Sequence, residues 1–256
     1  MATSAQSTHH RLARADAELA AVSTLSAHFS ATCAETLGGR KAHAHFEQWL
    51  WAARSEALFT GMPLPAVPAP VAAAAGEELS RKLCLAGLSP AEADRASRQL
   101  AALSEKLAAE LAQRAYETRP ASAVRLEAGG ADGAPGPPCG LVNLCLSATR
   151  VAVSRHHLEK LRSLYKGGTL DEARFLADAF CVLTRVMALQ GGTPRAGGMQ
   201  AACGPAVFDV LRAEMGVELE VFASPLNARF SRFCSAAADV DACFGSLGSF
   251  YAPALD

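Results

Sequence analysis

Apolar side chains recur every three or four residues through the first 118 positions, which is the spacing of helices that bury one face. The repeat is clearest between residues 11 and 37, at Leu12, Ala15, Leu19, Val22, Leu25 and Phe29. Stretches with the same spacing predict further helices over residues 41–59, 77–88 and 90–116. Ser89 and Pro90 mark the start of the last one, because serine caps helices and proline suits their first turn. We therefore predict an antiparallel helical domain over residues 1–118.

The pattern changes after residue 118. Residues 119–140 are rich in proline and glycine and predict a linker, in which the alternation at 124–127 allows one strand. Residues 141–204 then predict a small antiparallel sheet followed by helices, with strands at 141–146 and 150–154 and helices at 154–165 and 170–189.

The last segment, residues 205–256, carries a third pattern. A short helix over 205–215 is closed by Gly216, the run Val217–Ala223 predicts a strand, and Ser224–Asn227 predicts a turn into a helix over 228–237. Helix, strand, turn and helix in this order form the unit from which parallel α/β sheets are built. The predicted fold is mostly α with a small β element, followed by the first strand and helix of an incomplete α/β domain.

Composition narrows the function. The 24 Lys and Arg residues balance 25 Asp and Glu, for a formal net charge of −1, which argues against a polybasic partner surface. The N-terminus lacks the apolar core of a secretory signal, and no stretch approaches the roughly 20 apolar residues that a membrane span requires. Eight cysteines occur without C-x-x-C pairs, so we expect reduced thiols in an intracellular protein, and no metal site.

Short catalytic motifs are absent: the sequence has no Walker loop, no H-E-x-x-H, no G-x-S-x-G and no G-x-G-x-x-G after a strand. Basic residues do concentrate on the strand and helix of 150–166, at Arg150, Arg155, Lys160 and Arg162. Such a cluster indicates either a groove that binds RNA phosphates or an ordinary solvated face, and the sequence leaves both open.

The turn after the Val217–Ala223 strand is a second candidate site. In open α/β sheets, ligands bind beyond the C-terminal ends of the strands, where small side chains let a cofactor approach the backbone. A strand, a turn and a helix are common, however, so this pattern by itself does not identify a cofactor.

The C-terminal half contains several unusual strings, namely Val221-Phe-Ala-Ser-Pro-Leu-Asn227, Phe230, Phe233-Cys-Ser235, Asp239-Val-Asp241 and Phe244-Gly-Ser246. In this order they closely resemble the C-terminal domain of the phosphorylated-CTD-interacting factor family, enzymes that methylate the cap-adjacent adenosine of mRNA at N6. The resemblance covers residues 141–248, which include the basic helix that begins at Ser154.

The resemblance implies a helical domain packed on a Rossmann-like methyltransferase domain, with capped mRNA bound between them in the nucleus. It implies S-adenosyl-L-methionine as cofactor. The residues implied to bind it at the strand end and turn are Phe222, Ala223, Ser224, Pro225 and Asn227. Those implied to bind its nucleoside end are Asp241 and Phe244. For Phe222 and Phe244, packing in a hydrophobic core is the alternative.

Two departures from the family bear on activity and partners. Its catalytic N-P-P-F motif occurs nowhere in the 256 residues, so we name no catalytic residue and expect a truncated chain that is inactive and binds the donor weakly. A WW domain needs two well-separated tryptophans, whereas Trp49 and Trp51 are close neighbours, which argues against RNA polymerase II tail binding. The alternative function is a non-catalytic helical remnant that serves as an RNA-binding module or scaffold.

Overall fold

Four helices form the N-terminal part of the chain in the computed structural model, which describes residues 5–114, 117–128, 140–167, 171–193 and 203–252. They confirm the four helices that the hydrophobic repeat predicts. Their bounds are Ala5–Leu37 for α1, Gly39–Leu58 for α2, Ala73–Leu85 for α3 and Pro90–Gln113 for α4.

Local sequence explains where these helices begin and which face they bury. At the start of α4 the backbone N–H of Glu92 donates to the Ser89 side chain while the Glu92 carboxylate accepts from the Ser89 backbone, a reciprocal cap. On α2, Phe46 and Trp49 are buried, and the Phe46 ring lies 6.1 Å from that of Phe29 on α1. The aromatic faces of α1 and α2 thus form the first part of the core.

A three-stranded antiparallel sheet follows, as predicted. Its strands are β1 (Arg125–Ala128), β2 (Leu141–Leu146) and β3 (Thr149–Ser154), in the order β1-β2-β3. The predicted loop at 129–139 lies outside the described residues. The buried face of β3 packs on the helix α6, introduced next.

Two capped helices follow this sheet. Helix α5 (Arg155–Leu164) begins at Ser154, whose hydroxyl accepts from the backbone N–H of His157 at 3.1 Å. Helix α6 (Glu172–Leu189) begins after Asp171, whose carboxylate accepts from the backbone N–H of Ala173. Because α6 is buried along most of its length, it serves as the central helix against which α1, the sheet and α5 pack.

The C-terminal part contains α7 (Pro205–Met215), β4 (Leu219–Ala223), β5 (Arg232–Ser235) and α8 (Ala238–Asp241). Gly216 ends α7 in the left-handed conformation at φ 64°, which glycine adopts without a steric penalty. Strands β4 and β5 pair in parallel, and segment 246–248 extends this arrangement, since the N–H of Leu247 donates to the Phe233 carbonyl at 2.8 Å.

The helix that the sequence predicts over residues 228–237 is wrong, because β5 occupies this stretch. The turn does form one helical hydrogen bond, from the N–H of Ala228 to the Ser224 carbonyl at 2.9 Å. The next N–H, that of Arg229, donates instead to the Glu220 carboxylate on β4, at 2.9 Å to both oxygens, so the helical ladder stops. A helical link between parallel strands is found one connection later, where α8 joins β5 to segment 246–248.

One continuous hydrophobic core joins residues from all four predicted segments, from Leu12 through Val124 and Phe180 to Phe244. The domain boundaries after residues 118, 140 and 204 stay a prediction. The fold is mostly helical with small sheets, and the Rossmann-like character of the C-terminal part also stays a prediction.

Buried charge joins the C-terminal part to this core. The guanidinium of Arg185 on α6 is 2% exposed and lies 3.0 Å from the Glu18 carboxylate on α1 and 2.9 Å from that of Asp239 on α8. It also donates to the Leu64 carbonyl at 3.2 Å. Glu18 and Leu64 belong to the helical part, and Asp239 belongs to the C-terminal part. Arg185 therefore joins the two parts.

Replacing Arg185 with methionine should destabilise the whole chain by about 3 kcal/mol, because it leaves two carboxylates near the core without their shared cation. Urea unfolding of the variant and of the native chain measures this. The matched control is R98M, since Arg98 pairs with Asp94 on the exposed surface of α4 and should change the unfolding free energy by less than about 0.5 kcal/mol. Equal effects of the two substitutions would contradict the role of Arg185.

Candidate functional site

Two cavities lie at the C-terminal end of β4, and three residues of that strand, Val221, Phe222 and Ala223, line both. One has a volume of about 220 Å³ and the other of about 620 Å³. The strand end therefore forms the shared wall of a smaller and a larger space, at the place where open α/β sheets bind ligands.

The smaller cavity is apolar and aromatic. Phe222, which is 70% exposed, packs edge-on against the Phe250 ring at 5.8 Å and lies 6.1 Å from the Tyr251 ring. Trp51 on α2 and Leu64 line another side of the cavity. Aromatic and apolar walls of this kind suit a flat, weakly polar ligand group such as a nucleobase.

The larger cavity is more polar than the smaller one and carries an excess of positive charge. Its wall includes Lys160, Arg229 and Glu220, together with His156 and His157 at the start of α5. Burial lowers the pKa of Lys160, and the charge of Arg229 lowers it further, while Glu220 opposes the change. Burial also lowers the pKa of His157, with His156 and Lys160 adding to the effect. Because two basic side chains face one carboxylate, the cavity suits an anionic group.

The turn Ser224–Asn227 is held by its own hydrogen bonds. The Asn227 side-chain oxygen accepts from the Ser224 backbone N–H at 2.7 Å and from the Ser224 hydroxyl at 3.0 Å. Asn227 lines the larger cavity, and Pro225 is buried beneath the turn. Of the five residues predicted to bind the cofactor here, Phe222, Ala223 and Asn227 line the cavities, while Ser224 and Pro225 shape the turn.

The other two predicted cofactor residues lie away from these cavities. Phe244 is 0% exposed, and its ring packs 5.4 Å from that of Tyr165 and 6.5 Å from that of Phe175. The alternative of core packing therefore accounts for Phe244 in this structure. Asp241 is 2% exposed, and it lines neither of these two cavities.

Three of the four basic residues predicted to bind RNA are engaged in contacts within the chain. Arg150 pairs with Glu127 on β1 at 3.0 Å, and Arg162 pairs with Glu172 on α6 through two bonds of 2.5 and 2.7 Å. The Arg162 guanidinium also lies 4.3 Å from the centre of the Phe175 ring. Lys160 donates to carbonyls of the β4–β5 connection. Arg155 is exposed, with no ion pair among the residues that the structure describes.

Sequence reasoning missed several residues of the site. Glu220 and Arg229 are brought together by the β4–β5 connection, and Phe250 and Tyr251 meet Phe222 from 28 and 29 residues further along the chain. Alternation along β4 could have indicated Glu220, but no local pattern reveals that Trp51 of α2 lies at the same cavity.

A third cavity, of about 750 Å³, lies between α1, α4, α6 and α8 and is lined by several charged residues. Its buried charges satisfy one another: Glu18 pairs with Arg14 at 2.8 Å and with Arg185 at 3.0 Å, and Asp239 pairs with Arg185. Among the described residues no cluster of His, Cys, Asp and Glu could hold a metal ion, and no described helix is long and apolar enough to cross a bilayer.

Asp241 should make stability depend on pH. The pKa of its carboxyl is raised to about 7, chiefly by burial and also by the charge of Asp239, while the Ser235 side chain and Arg185 oppose the change. A carboxyl whose pKa is higher in the folded state stabilises the fold below its unfolded pKa and loses that contribution as the pH rises through about 7. Each unit of pKa corresponds to about 1.4 kcal/mol, so the loss amounts to a few kcal/mol.

We predict that D241N, which keeps the shape of the side chain but cannot ionise, removes this loss. The difference in unfolding free energy between D241N and the native chain should grow in favour of D241N between about pH 4 and pH 8. Urea unfolding at a series of pH values measures it. A difference that does not change with pH would show that the Asp241 carboxyl titrates as an exposed one does.

Comparison with known proteins finds a family and relatives that are similar to part of this chain. A family model described as the phosphorylated CTD interacting factor 1 WW domain matches residues 160–255. Proteins named mRNA (2'-O-methyladenosine-N(6)-)-methyltransferase from Homo sapiens and Mus musculus are each 40% identical to this chain over 110 residues. The aligned part is 41% of this chain and covers only 15% of the length of each relative.

The matched region contains most of the site, apart from Trp51, Leu64, His156 and His157. It begins at Lys160 on α5 and includes β4, the turn, β5 and the aromatic pair Phe250 and Tyr251. Although the description of the family model mentions a WW domain, residues 160–255 contain no tryptophan, and the paired strands described there, β4 and β5, run in parallel. The resemblance seen in the sequence is confirmed: residues 160–255, which build the wall shared by the two cavities, match the phosphorylated CTD interacting factor 1 family.

Proposed function

We propose that this chain is part of an S-adenosyl-L-methionine-dependent mRNA adenosine N6-methyltransferase, and that the end of β4 and the following turn bind the methyl donor. The observation that carries the proposal is the shared wall: Phe222 and Ala223 line both the apolar and the polar cavity, and Asn227 lines the polar one. The names of the relatives supply the reaction class.

The chemistry of the two cavities suits such a donor. S-adenosyl-L-methionine joins an adenine base to a zwitterionic amino acid through a sulfonium centre. The apolar cavity at Phe222 and Tyr251 offers aromatic faces to the base, while Arg229 offers positive charge to the carboxylate in the polar cavity. Glu220 adds one negative group that suits the amino and sulfonium charges.

Capped mRNA is the proposed substrate, and a nuclear location accompanies it. The contribution of this chain is donor binding rather than complete catalysis, because the 256 residues lack the N-P-P-F motif expected to hold the target amine. We therefore expect the chain to bind the donor weakly and to transfer no methyl group to capped RNA. A non-catalytic scaffold is the competing function, and the first of the following experiments separates the two.

The donor site is tested by replacing Asn227 with alanine. This change removes the acceptor of both Ser224 hydrogen bonds, so the turn loosens and affinity for S-adenosyl-L-methionine should fall about tenfold, which corresponds to about 1.4 kcal/mol. NMR titration measures weak binding and maps the shifted residues. The matched control is Q113A, which removes an exposed amide at the end of α4 and should leave the affinity unchanged.

In the native chain the largest shifts should fall on residues 220–228. A native chain that shows no shifts with the donor would support the scaffold function and contradict the proposed one.

RNA binding is tested by comparing R155A with R162A. Arg155 is exposed and carries no ion pair in the described part of the chain, so its removal should weaken binding of capped RNA and reduce the salt slope of affinity by about one. Arg162 is engaged with Glu172 and Phe175, so its removal should leave that slope unchanged. Filter binding at several salt concentrations measures both. Equal slopes for R155A and the native chain would contradict a phosphate contact at Arg155.

A further inference from the structure

Lys160 on α5 reaches under the connection between β4 and β5. Its Nζ atom donates to the Leu226 carbonyl at 3.0 Å and to the Ala228 carbonyl at 2.7 Å. These two carbonyls flank Asn227, whose own side chain holds Ser224 from the other end of the turn. The turn is therefore fixed at both ends, by Asn227 from within and by Lys160 from a different element.

These bonds leave Lys160 poorly suited to the phosphate contact that the sequence suggested. An ammonium has three N–H groups, and two of them are directed to backbone carbonyls. A lysine that binds a phosphate usually keeps its head in water, whereas this one is half-buried and lies against the connection. Lys160 therefore supports the turn.

The two bonds also satisfy carbonyls that lose their helical partners when the chain leaves the helical path after Ser224. In a continuing helix the Leu226 carbonyl would accept from the N–H of residue 230, and that of Ala228 from the N–H of residue 232. Lys160 donates to both carbonyls instead, as a lysine does at the C-terminus of a helix. The segment can then extend into β5, which begins at Arg232 and pairs with β4.

We propose that Lys160 is a positioning residue for the methyl donor: it holds the connection 224–231 so that Phe222, Ala223 and Asn227 keep their places on the shared wall of the two cavities. This inference rests on the proposed function for its ligand, but the bonds to Leu226 and Ala228 exist without one. It assigns to Lys160 a different role from the RNA-binding one.

The test uses the full chain with Lys160→Met, which keeps the length of the side chain but removes its donors, and Lys160→Arg, which keeps charge and N–H groups. Lys106→Met is the matched control, since Lys106 lies on the exposed face of α4. Amide hydrogen exchange of the ligand-free chain should show residues 222–229 exchanging about tenfold faster in K160M, with the rest of the chain unchanged. Affinity for S-adenosyl-L-methionine, measured by NMR titration, should fall by a similar factor, and K160R should restore most of both.

The salt slope of RNA affinity is the readout that a phosphate contact would change. We expect the slope of K160M to equal that of the native chain. Unchanged exchange of residues 222–229 together with a slope lowered by about one would overturn the inference and return Lys160 to RNA binding. Faster exchange throughout the chain would also overturn it, because the role would then be general stability. A native chain without donor binding, combined with a local change of exchange in K160M, would instead refute the proposed function and leave the support of the turn in place.

Discussion

One buried interaction joins the C-terminal part to the helices, the contact of Arg185 with two carboxylates and a backbone carbonyl. A guanidinium at 2% exposure is stable only where its partners replace water, and Glu18, Asp239 and the Leu64 carbonyl do so from three separate parts of the chain. Asp239 lies on α8, just after β5, and Leu64 lines the apolar cavity. The interaction that joins α8 to the helices therefore also fixes part of the wall of the apolar cavity. The geometry of the site thus depends on a contact that lies outside it.

Hydrogen bonds with three side chains hold the turn after β4 and the residues that follow it. Asn227 fixes Ser224, Glu220 takes the N–H of Arg229, and Lys160 takes the Leu226 and Ala228 carbonyls. Their joint effect is to allow one helical turn and then to direct the chain into a parallel strand. The result is a tight wall with an aromatic cavity on one side and a cationic cavity on the other, an arrangement that suits a ligand with one flat and one charged end.

How far the sequence predicts this structure depends on the range of the interactions. The helices and the strand Leu141–Leu146 follow from local periodicity and capping, which is why their bounds were predicted closely. The segment 228–237 was mispredicted because Ser224 and Pro225 carry a helix-start signal that Glu220 and Lys160 override from other elements. The ion pair of Arg162 was not predicted for the same reason, since its partner Glu172 lies on α6 and is brought close by the packing of α5 on α6.

The central claim is that the shared wall at the end of β4 binds the methyl donor across both cavities. A crystal structure of this chain with S-adenosyl-L-homocysteine, the demethylated product of the donor, tests it most directly. The account predicts the adenine between Phe222 and Tyr251 and the carboxylate near Arg229, with the turn unchanged. A ligand bound in the third cavity, between α1, α4, α6 and α8, would contradict it, as would a ligand bound at any place that leaves Phe222 and Asn227 without contact.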